Sequence, residues 1–451
     1  MGRGAAPEGP HGPGYAATTG VFNTAQPVCP DHAVTARSVE EVRAAVRWAV
    51  AEGVQVRAHT TGHASGSGPG MGGSLLVRPL IDGRVEVDAP SRRVRVPAGR
   101  TWGEVVAACA PYGLVAPHGS SPTVGVVGYL LRGGLSSHGR LTGIGANSLS
   151  AAEVVTAEGE VRRVDADSDP ELLWALRGGG GGLGVVTSVE IDLVPVTEVF
   201  TGAAFWSAAD ADRLLPLWTE WAREAPRAVT TSLRVMRLPD APGVPAELRR
   251  GPVLCVDGAA VRTGAAEPAA AATAQTLLGP LRAAARPLAD SWREAGAADV
   301  PLSHMDPADP LPLVNDHMLV RETGQEGTAL FLEAALDGAS APMANLELRQ
   351  LGGALASPPR PGGVLDRLDA AYAYLAGAVP VNGGAGLDAA LTRMRNVLSP
   401  WDTGRSAPTF SGAASRGAPA LSDGDARTLA AIRGRTDPSG LFRGDVHAAC
   451  T

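Results

Sequence analysis

The stretch Val54-Gln-Val-Arg-Ala-His-Thr-Thr-Gly-His63-Ala-Ser-Gly-Ser-Gly68 decides how the rest of the chain is read. Val54, Val56 and Ala58 alternate as a short buried strand does. The alternation then stops, and small and polar residues take over around His63, with glycines at positions 62, 66 and 68. A turn with so little side-chain bulk lets its backbone N–H groups approach a ligand closely, and a phosphate or pyrophosphate would suit it. His63 is the one bulky, nucleophilic group on the loop, so covalent chemistry with a ligand would occur there. An ordinary loop histidine would look the same in isolation, and the neighbouring sequence has to separate the two readings.

Immediately upstream, Ser38-Val-Glu-Glu41 reads as a capping box ahead of the apolar stripe Val42, Ala45, Val46 and Ala49, and Gly53 ends that helix. Downstream, Ser74–Leu80 is a predicted strand. Val85, Val87, Val94 and Val96 form a hairpin about Asp88–Ser91. Thr101-Trp-Gly-Glu104 is a second capping box, whose helix carries Val105, Val106 and Ala108 and stops at Gly113. Then comes Gly119-Ser-Ser-Pro-Thr-Val-Gly-Val-Val-Gly-Tyr-Leu-Leu-Arg-Gly-Gly-Leu-Ser-Ser-His-Gly-Arg140. Its glycines fit backbone lying against a bound group, and its Val and Leu are too apolar for a flexible linker. Residues 151–165 form a hairpin turning at Glu158-Gly159. Asp169-Pro170 opens a helix that runs into a glycine run, followed by a strand over 185–194. Gly179-x-Gly181-x-x-Gly184 matches the dinucleotide fingerprint only in letters. That fingerprint needs strand, glycines, helix, whereas the order here is helix, glycines, strand.

The 451 residues, 45% apolar and 19% charged, describe a globular chain of about two domains. A net charge of −7 without a basic run argues against nucleic acid. No apolar run suits a signal peptide or a bilayer span. The four cysteines (29, 109, 255 and 450) have no metal-type spacing. The expectation is a reducing, cytoplasmic setting with no metal and no membrane partner. Cys109 is expected in the core.

Taken in order, Arg57-Ala-His-Thr-Thr-Gly-His63, Pro117-His-Gly-Ser-Ser-Pro-Thr-Val-Gly-Val-Val-Gly128, Gly133-Gly134-Leu135 and Trp174-Ala-Leu-Arg-Gly-Gly-Gly-Gly181 resemble the FAD-linked oxidases of the berberine bridge enzyme type, in the vanillyl-alcohol oxidase group. The likeness runs over roughly residues 20–195 and returns weakly at Asp437-Pro-Ser-Gly-Leu-Phe442. It implies an α+β fold: a two-part FAD-binding domain of the PCMH type, from residues 1–195 and 399–451, around an inserted α+β substrate domain, 196–398, built on an antiparallel sheet. In the insert, Ala208–Ala222 and Pro268–Arg286 look helical, whereas Thr230–Val235, Pro252–Val256 and Ala329–Ala334 look like strands.

The resemblance also implies a cofactor, FAD, carried on His63 through its 8α-methyl group, and a flavin site made by Thr60, Thr61, Gly62, His63, Ala64, Ser65, Gly119, Ser120, Ser121, Thr123, Gly125, Gly128, Gly133, Gly134, Leu135 and Val185. Ser121 stands where many members have a second, cysteine tether, so a single tether is expected. Four departures stand out. Arg132 replaces a usual glycine, Asn147 an Asp, and Gly182-Leu183 an Asn-Phe. No Tyr-x-Asn segment is recognisable near Ala407-Pro-Thr-Phe-Ser-Gly412.

The activity implied is oxidation of an alcohol or amine: hydride to flavin N5, O2 as electron acceptor, and a secondary-metabolite or sugar-like small molecule as substrate. The departures keep two alternatives open: a flavin-dependent cyclisation or dehydrogenation without O2, and a flavoprotein without catalysis. The proton acceptor is expected on the inserted sheet, at Tyr372 or Tyr374, which share one strand face. Arg349 or Arg367 would supply positive charge to help the phenol ionise. Glu347 and Arg349 would equally suit a structural ion pair. His138 is placed either facing the flavin or at the surface, and His59 is expected to point away from the loop ligand.

Overall fold

The computed structural model describes residues 6–67, 70–380, 384–410 and 418–446. Gly68, Ser411, Gly412 and Cys450 lie outside them. Helix Val39–Glu52 forms as its stripe predicts, burying Val42, Ala45, Val46 and Ala49. The Ser38 hydroxyl accepts the Glu41 N–H at 3.2 Å. The return half of the box differs: the Glu41 carboxylate takes the N–H of Arg37, one residue earlier than expected. At the second box, Glu104 accepts the Thr101 N–H at 2.8 Å.

The helix connects two strands of a small parallel sheet, ordered His32–Ala36, Ser74–Pro79, Gln55–Ala58. The last described residues return to it. The Leu441 carbonyl accepts the Val56 N–H at 2.7 Å and Arg443 donates back to the Val56 carbonyl at 3.1 Å. Asp437 fixes that return by accepting the Phe442 N–H at 2.7 Å. A five-stranded antiparallel sheet follows, ordered Glu86–Asp88, Arg93–Pro97, Val185–Asp192, Leu149–Val155, Val161–Asp165. Helix Pro170–Leu176 does precede the glycine run, and strand Val185–Asp192 follows it.

Residues 198–378 build one large antiparallel sheet. Its path is Ala289–Asp290, Glu198–Ser207, Val253–Arg262, Val229–Met236, Asn345–Gln350, Tyr372–Ala378, Val314–Val320. One face is apolar and packs on helices Ala211–Glu224, Ala270–Ala284, Gly324–Leu336 and Leu387–Leu398. The third of these corrects an expectation. Ala329–Ala334 is helical, because five of its six residues are the strong helix formers Ala, Leu and Glu and the sixth, Phe331, is not β-branched. Cys109 is buried, which pushes its thiol up to about 12. Among the described residues, no helix is long and apolar enough to cross a membrane, and no group of three or more His, Cys, Asp or Glu could hold a metal ion.

Candidate active site

Two loops meet in front of the small parallel sheet. His63 leaves the end of strand Gln55–Ala58 and stacks on Phe22, ring centroids 3.8 Å apart. Its Nε2 lies 3.1 Å from Thr123 Oγ1, and Thr123 Oγ1 lies 3.0 Å from Ser121 Oγ. Thr61 Oγ1 accepts the Gly125 N–H at 3.3 Å. The approach is so close that a Cβ on Gly125 would sit 2.4 Å from Thr60 Oγ1, so only glycine fits there. Ser120, Ser121 and His63 therefore share one locus. Burial holds the His63 imidazole down, at about 4, and so neutral near pH 7.

The other expected flavin residues divide. Gly119 accepts His118 Nδ1 at 2.7 Å through its carbonyl. Gly128 is exposed with open space around it, on the helix Val126–Leu131. Ala64 and Ser65 continue the first loop. Gly134 makes room for a neighbour: a Cβ there would meet the Tyr129 ring at 2.2 Å. Gly133 packs on Leu365. Leu135 lies in the core beneath the second loop, and Val185 in the core shared with Val56 and Leu441. These last two residues support the loops from behind.

A dinucleotide cofactor fits this cradle on one observation. Buried polar atoms here lack partners among the described residues: Ser65 Oγ, His118 Nε2, Tyr129 OH and His138 Nε2. Buried polar groups are normally satisfied, so such a concentration marks a place for a ligand. His118 and His138 pack edge to face, centroids 5.0 Å apart, and burial holds them down to about 4 and 3. His138 is thus an inner residue, not a surface one. His59 is half-buried, with Nε2 3.3 Å from the Thr18 carbonyl.

The departures have structural reasons. Arg132 is buried, with Nη1 2.8 Å from Asp445 Oδ2 and Nε donating to the Pro408 carbonyl at 3.1 Å. It ties the second glycine stretch to the C-terminal return. Asn147 Nδ2 donates to the Asp366 carbonyl at 2.8 Å while Oδ1 accepts the Gly363 N–H at 3.3 Å. An aspartate could not donate the first bond. Phe410 stands in the segment expected to hold Tyr-x-Asn, 5.5 Å beneath the Arg349 guanidinium.

Tyr372 and Tyr374 do share a face, but it is the helix-packed one. Tyr374 is fully buried against Phe331, its hydroxyl without a partner among the described residues. Tyr372 donates to Glu322 at 3.3 Å. Burial raises both phenols, which keeps each protonated near neutral pH and so without the phenolate that could take a proton. Arg349 pairs with Ala373 across the sheet and so projects from the other face, while Arg367 is exposed. Neither guanidinium assists the tyrosines.

That other face carries a charged cluster beside Ser120. Arg234 meets Asp257 at 3.0 Å, His304 Nδ1 meets Asp257 at 3.1 Å, and Arg349 Nε meets Glu347 at 2.7 Å. Ser232 also donates to Glu347 at 2.7 Å, and Ser120 donates to Asp306 at 2.6 Å. Burial and Arg234 push the His304 imidazole down, but Asp257, Glu347 and Asp306 outweigh them and raise it to about 9. His304 Nε2 and Arg349 Nη2 lie 2.9 Å apart, and the Glu347 carboxylate beside both offsets their repulsion. Burial raises Glu347, but Arg349 and His304 override it and hold the carboxyl well below its usual range. Of these groups the sequence had singled out only Glu347, Arg349 and Ser120. Arg234 and Asp257 interrupt apolar strands, a usable signal; His304 and Asp306 sit in an irregular segment that offers none.

A family model described as an FAD binding domain matches residues 30–165. (R)-6-hydroxynicotine oxidase of Paenarthrobacter nicotinovorans is 33% identical over 172 residues, 38% of this chain and 37% of that protein. The chain thus spans well under half the length of this curated relative. Among solved structures, Physcomitrella patens BBE-like 1 superposes with a TM-score of 0.82 at 19% identity, covering 99% of this chain and 97% of that one. Glucooligosaccharide oxidase from Acremonium strictum, described with a 6-S-cysteinyl, 8α-N1-histidyl FAD, gives 0.77 at 20% identity, covering 98% and 97%. At such identities the superpositions establish the fold. The chain thus carries an FAD binding domain over residues 30–165 and has the fold of the berberine bridge enzyme-like structure.

Proposed function

We propose that the chain is an FAD-dependent oxidoreductase that oxidises an alcohol or amine C–H, with O2 as electron acceptor and a secondary-metabolite or sugar-like small molecule as substrate. The observation that carries this reading is the junction of His63, Thr123 and Ser121 beside a charged, sheet-borne cluster. The two glycine-bearing loops would hold the cofactor, with Thr60–Ser65 on one side and Gly119–Gly125 on the other. FAD supplies a two-electron acceptor at N5 when bound.

The protein's own part is binding, orientation and proton handling. His63 is neutral, and with Nε2 engaged by Thr123 it offers Nδ1 as the nucleophile for an 8α tether. Ser121 occupies the position of the second tether, and its alcohol is a far weaker nucleophile than a thiolate. A single tether follows. Glu347, itself held by Ser232, fixes the Arg349 guanidinium on the sheet face beside the loops, where its positive charge would help position a substrate.

The test is acid precipitation of the purified protein. Yellow colour is expected in the pellet, and in the supernatant for His63→Ala. Colour in the wild-type supernatant removes the tether and keeps the flavoprotein. A colourless protein that takes up no FAD overturns the reading. Oxygen consumed per turnover separates an oxidase from a dehydrogenase using another acceptor.

A further inference from the structure

We propose that Asp306 is the proton acceptor of this oxidation, its Oδ2 held by the Ser120 hydroxyl and its Oδ1, 3.8 Å from the His304 imidazole, without a hydrogen bond and open to the substrate. The inference rests on the flavin reading above.

Three carboxylates enter the cluster, and two are already committed. Asp257 is enclosed by Arg234 and His304, its side chain 3% exposed. Glu347 is 1% exposed and engaged by Arg349 and Ser232. Asp306 is 29% exposed, the one that a substrate can reach. Its Oδ2 takes the Ser120 hydroxyl at 2.6 Å, whereas Oδ1 lies 3.8 Å from His304 Nε2, too far for a hydrogen bond. A general base needs such a free oxygen within reach of the proton it removes. Ser120 adjoins Ser121, whose hydroxyl leads through Thr123 to His63, so the carboxylate sits on the same loop junction as the proposed tether. The Asp306 charge is felt at the His63 imidazole, which it favours in the protonated form.

The backbone supplies an independent sign. Met305, between His304 and Asp306, has φ 59°, one of two non-glycine residues at positive φ among those described. That conformation is costly for a side chain with a Cβ, on the order of 1–3 kcal/mol, and such strain concentrates where function fixes geometry. Here it turns His304 into the cluster and the Met305 side chain out to solvent, and it sets Asp306 against Ser120.

In the reaction, the O–H or N–H bond of the substrate breaks and its proton passes to Asp306 Oδ1. The adjacent C–H bond breaks as hydride, leaving for the flavin, and a C=O or C=N bond forms. The substrate loses two electrons, which FAD gains; the carboxylate gains one proton, later released to water.

The test is anaerobic mixing of the flavin-loaded protein with secondary alcohols, amines and oligosaccharides, following loss of the visible flavin absorbance. With any compound that bleaches the wild type, Asp306→Asn should slow bleaching by roughly 10²- to 10⁴-fold. Flavin content should be unchanged, since the amide keeps an oxygen for Ser120. Asp309→Asn, exposed on the same segment, should bleach at the wild-type rate. A second readout needs no substrate: removing a negative charge from the loop junction that would hold the flavin should raise its reduction potential, which a merely structural side chain would not do. Bleaching of Asp306→Asn at the wild-type rate, with an unmoved potential, overturns the assignment and leaves the flavin reading standing. A wild type that binds no FAD, or that no compound bleaches, overturns both.

Discussion

The two faces of the large sheet are made by the same strands and have opposite chemistry. On strand Asn345–Gln350, Leu346 and Leu348 enter the helix-packed core while Glu347 and Arg349 enter the charged cluster. On Val229–Met236, Leu233 and Val235 face the helices while Ser232 and Arg234 face the loops. The helix side is held by area, at about 25 cal/mol per Å² of apolar surface buried, and tolerates conservative change. The loop side is held by mutual compensation of charges. Each charge there has left water at a cost of several kcal/mol and stays only because its partners are in place. One side is built for stability, the other for position.

Breaking one partner on the charged face should therefore have the largest effect. Glu347→Gln removes the carboxylate that Arg349 and His304 share, leaving two buried cations under-compensated. We expect a loss of about 3–5 kcal/mol, read as a lower midpoint in denaturant unfolding. The double variant Glu347→Leu/Arg349→Met removes both charges and should unfold later than the single one. An equal or greater loss in the double variant would show that the cluster is not held by compensation.

This contrast also shows how far the sequence can be read. Alternation in Leu346–Gln350 and Tyr372–Ala376 reveals that Tyr372 and Tyr374 share a face, because strand side chains have a period of two. It does not reveal which face meets the loops, because both faces are buried and each can hold a tyrosine. The two glycine-bearing loops are legible because close backbone approach leaves a compositional mark: Gly125 is glycine since nothing larger clears Thr60. His304 and Asp306 leave no mark, since their irregular segment has no period and their partners are 47 and 186 residues away. The helix Gly324–Leu336 was misread over Ala329–Ala334 because a six-residue apolar window is too short to separate periods of 2 and 3.6.

A smaller effect should appear with pH. His304 is raised to about 9 in the folded protein, above an ordinary value near 6.5. The folded state therefore holds this proton more tightly than the unfolded one. The stability it contributes is fully present below about pH 6.5 and is lost as pH rises through about 9. His59, His118 and His317 are held down to about 4 by burial, so their sign is opposite: stability is lost as pH falls from about 6.5 towards 4. Unfolding midpoints should fall on both sides of neutrality, and His304→Asn should flatten the alkaline limb while keeping the acid one. An alkaline limb left unchanged in His304→Asn would place the proton elsewhere in the cluster.

The smallest effect should come from the helix side. Tyr374→Phe deletes a buried hydroxyl with no partner among the described residues while keeping the ring against Phe331. An unsatisfied buried hydroxyl costs free energy, so its removal should leave stability unchanged or raise it, by up to about 1–3 kcal/mol. Flavin bleaching should proceed at the wild-type rate, because the phenol lies across the sheet from Glu347 and Arg349. The same substitution thus reports on the two faces at once. Slowed bleaching with unchanged stability would mean that Tyr374 handles the proton after all, and that Asp306 and its cluster serve only to hold the sheet against the loops.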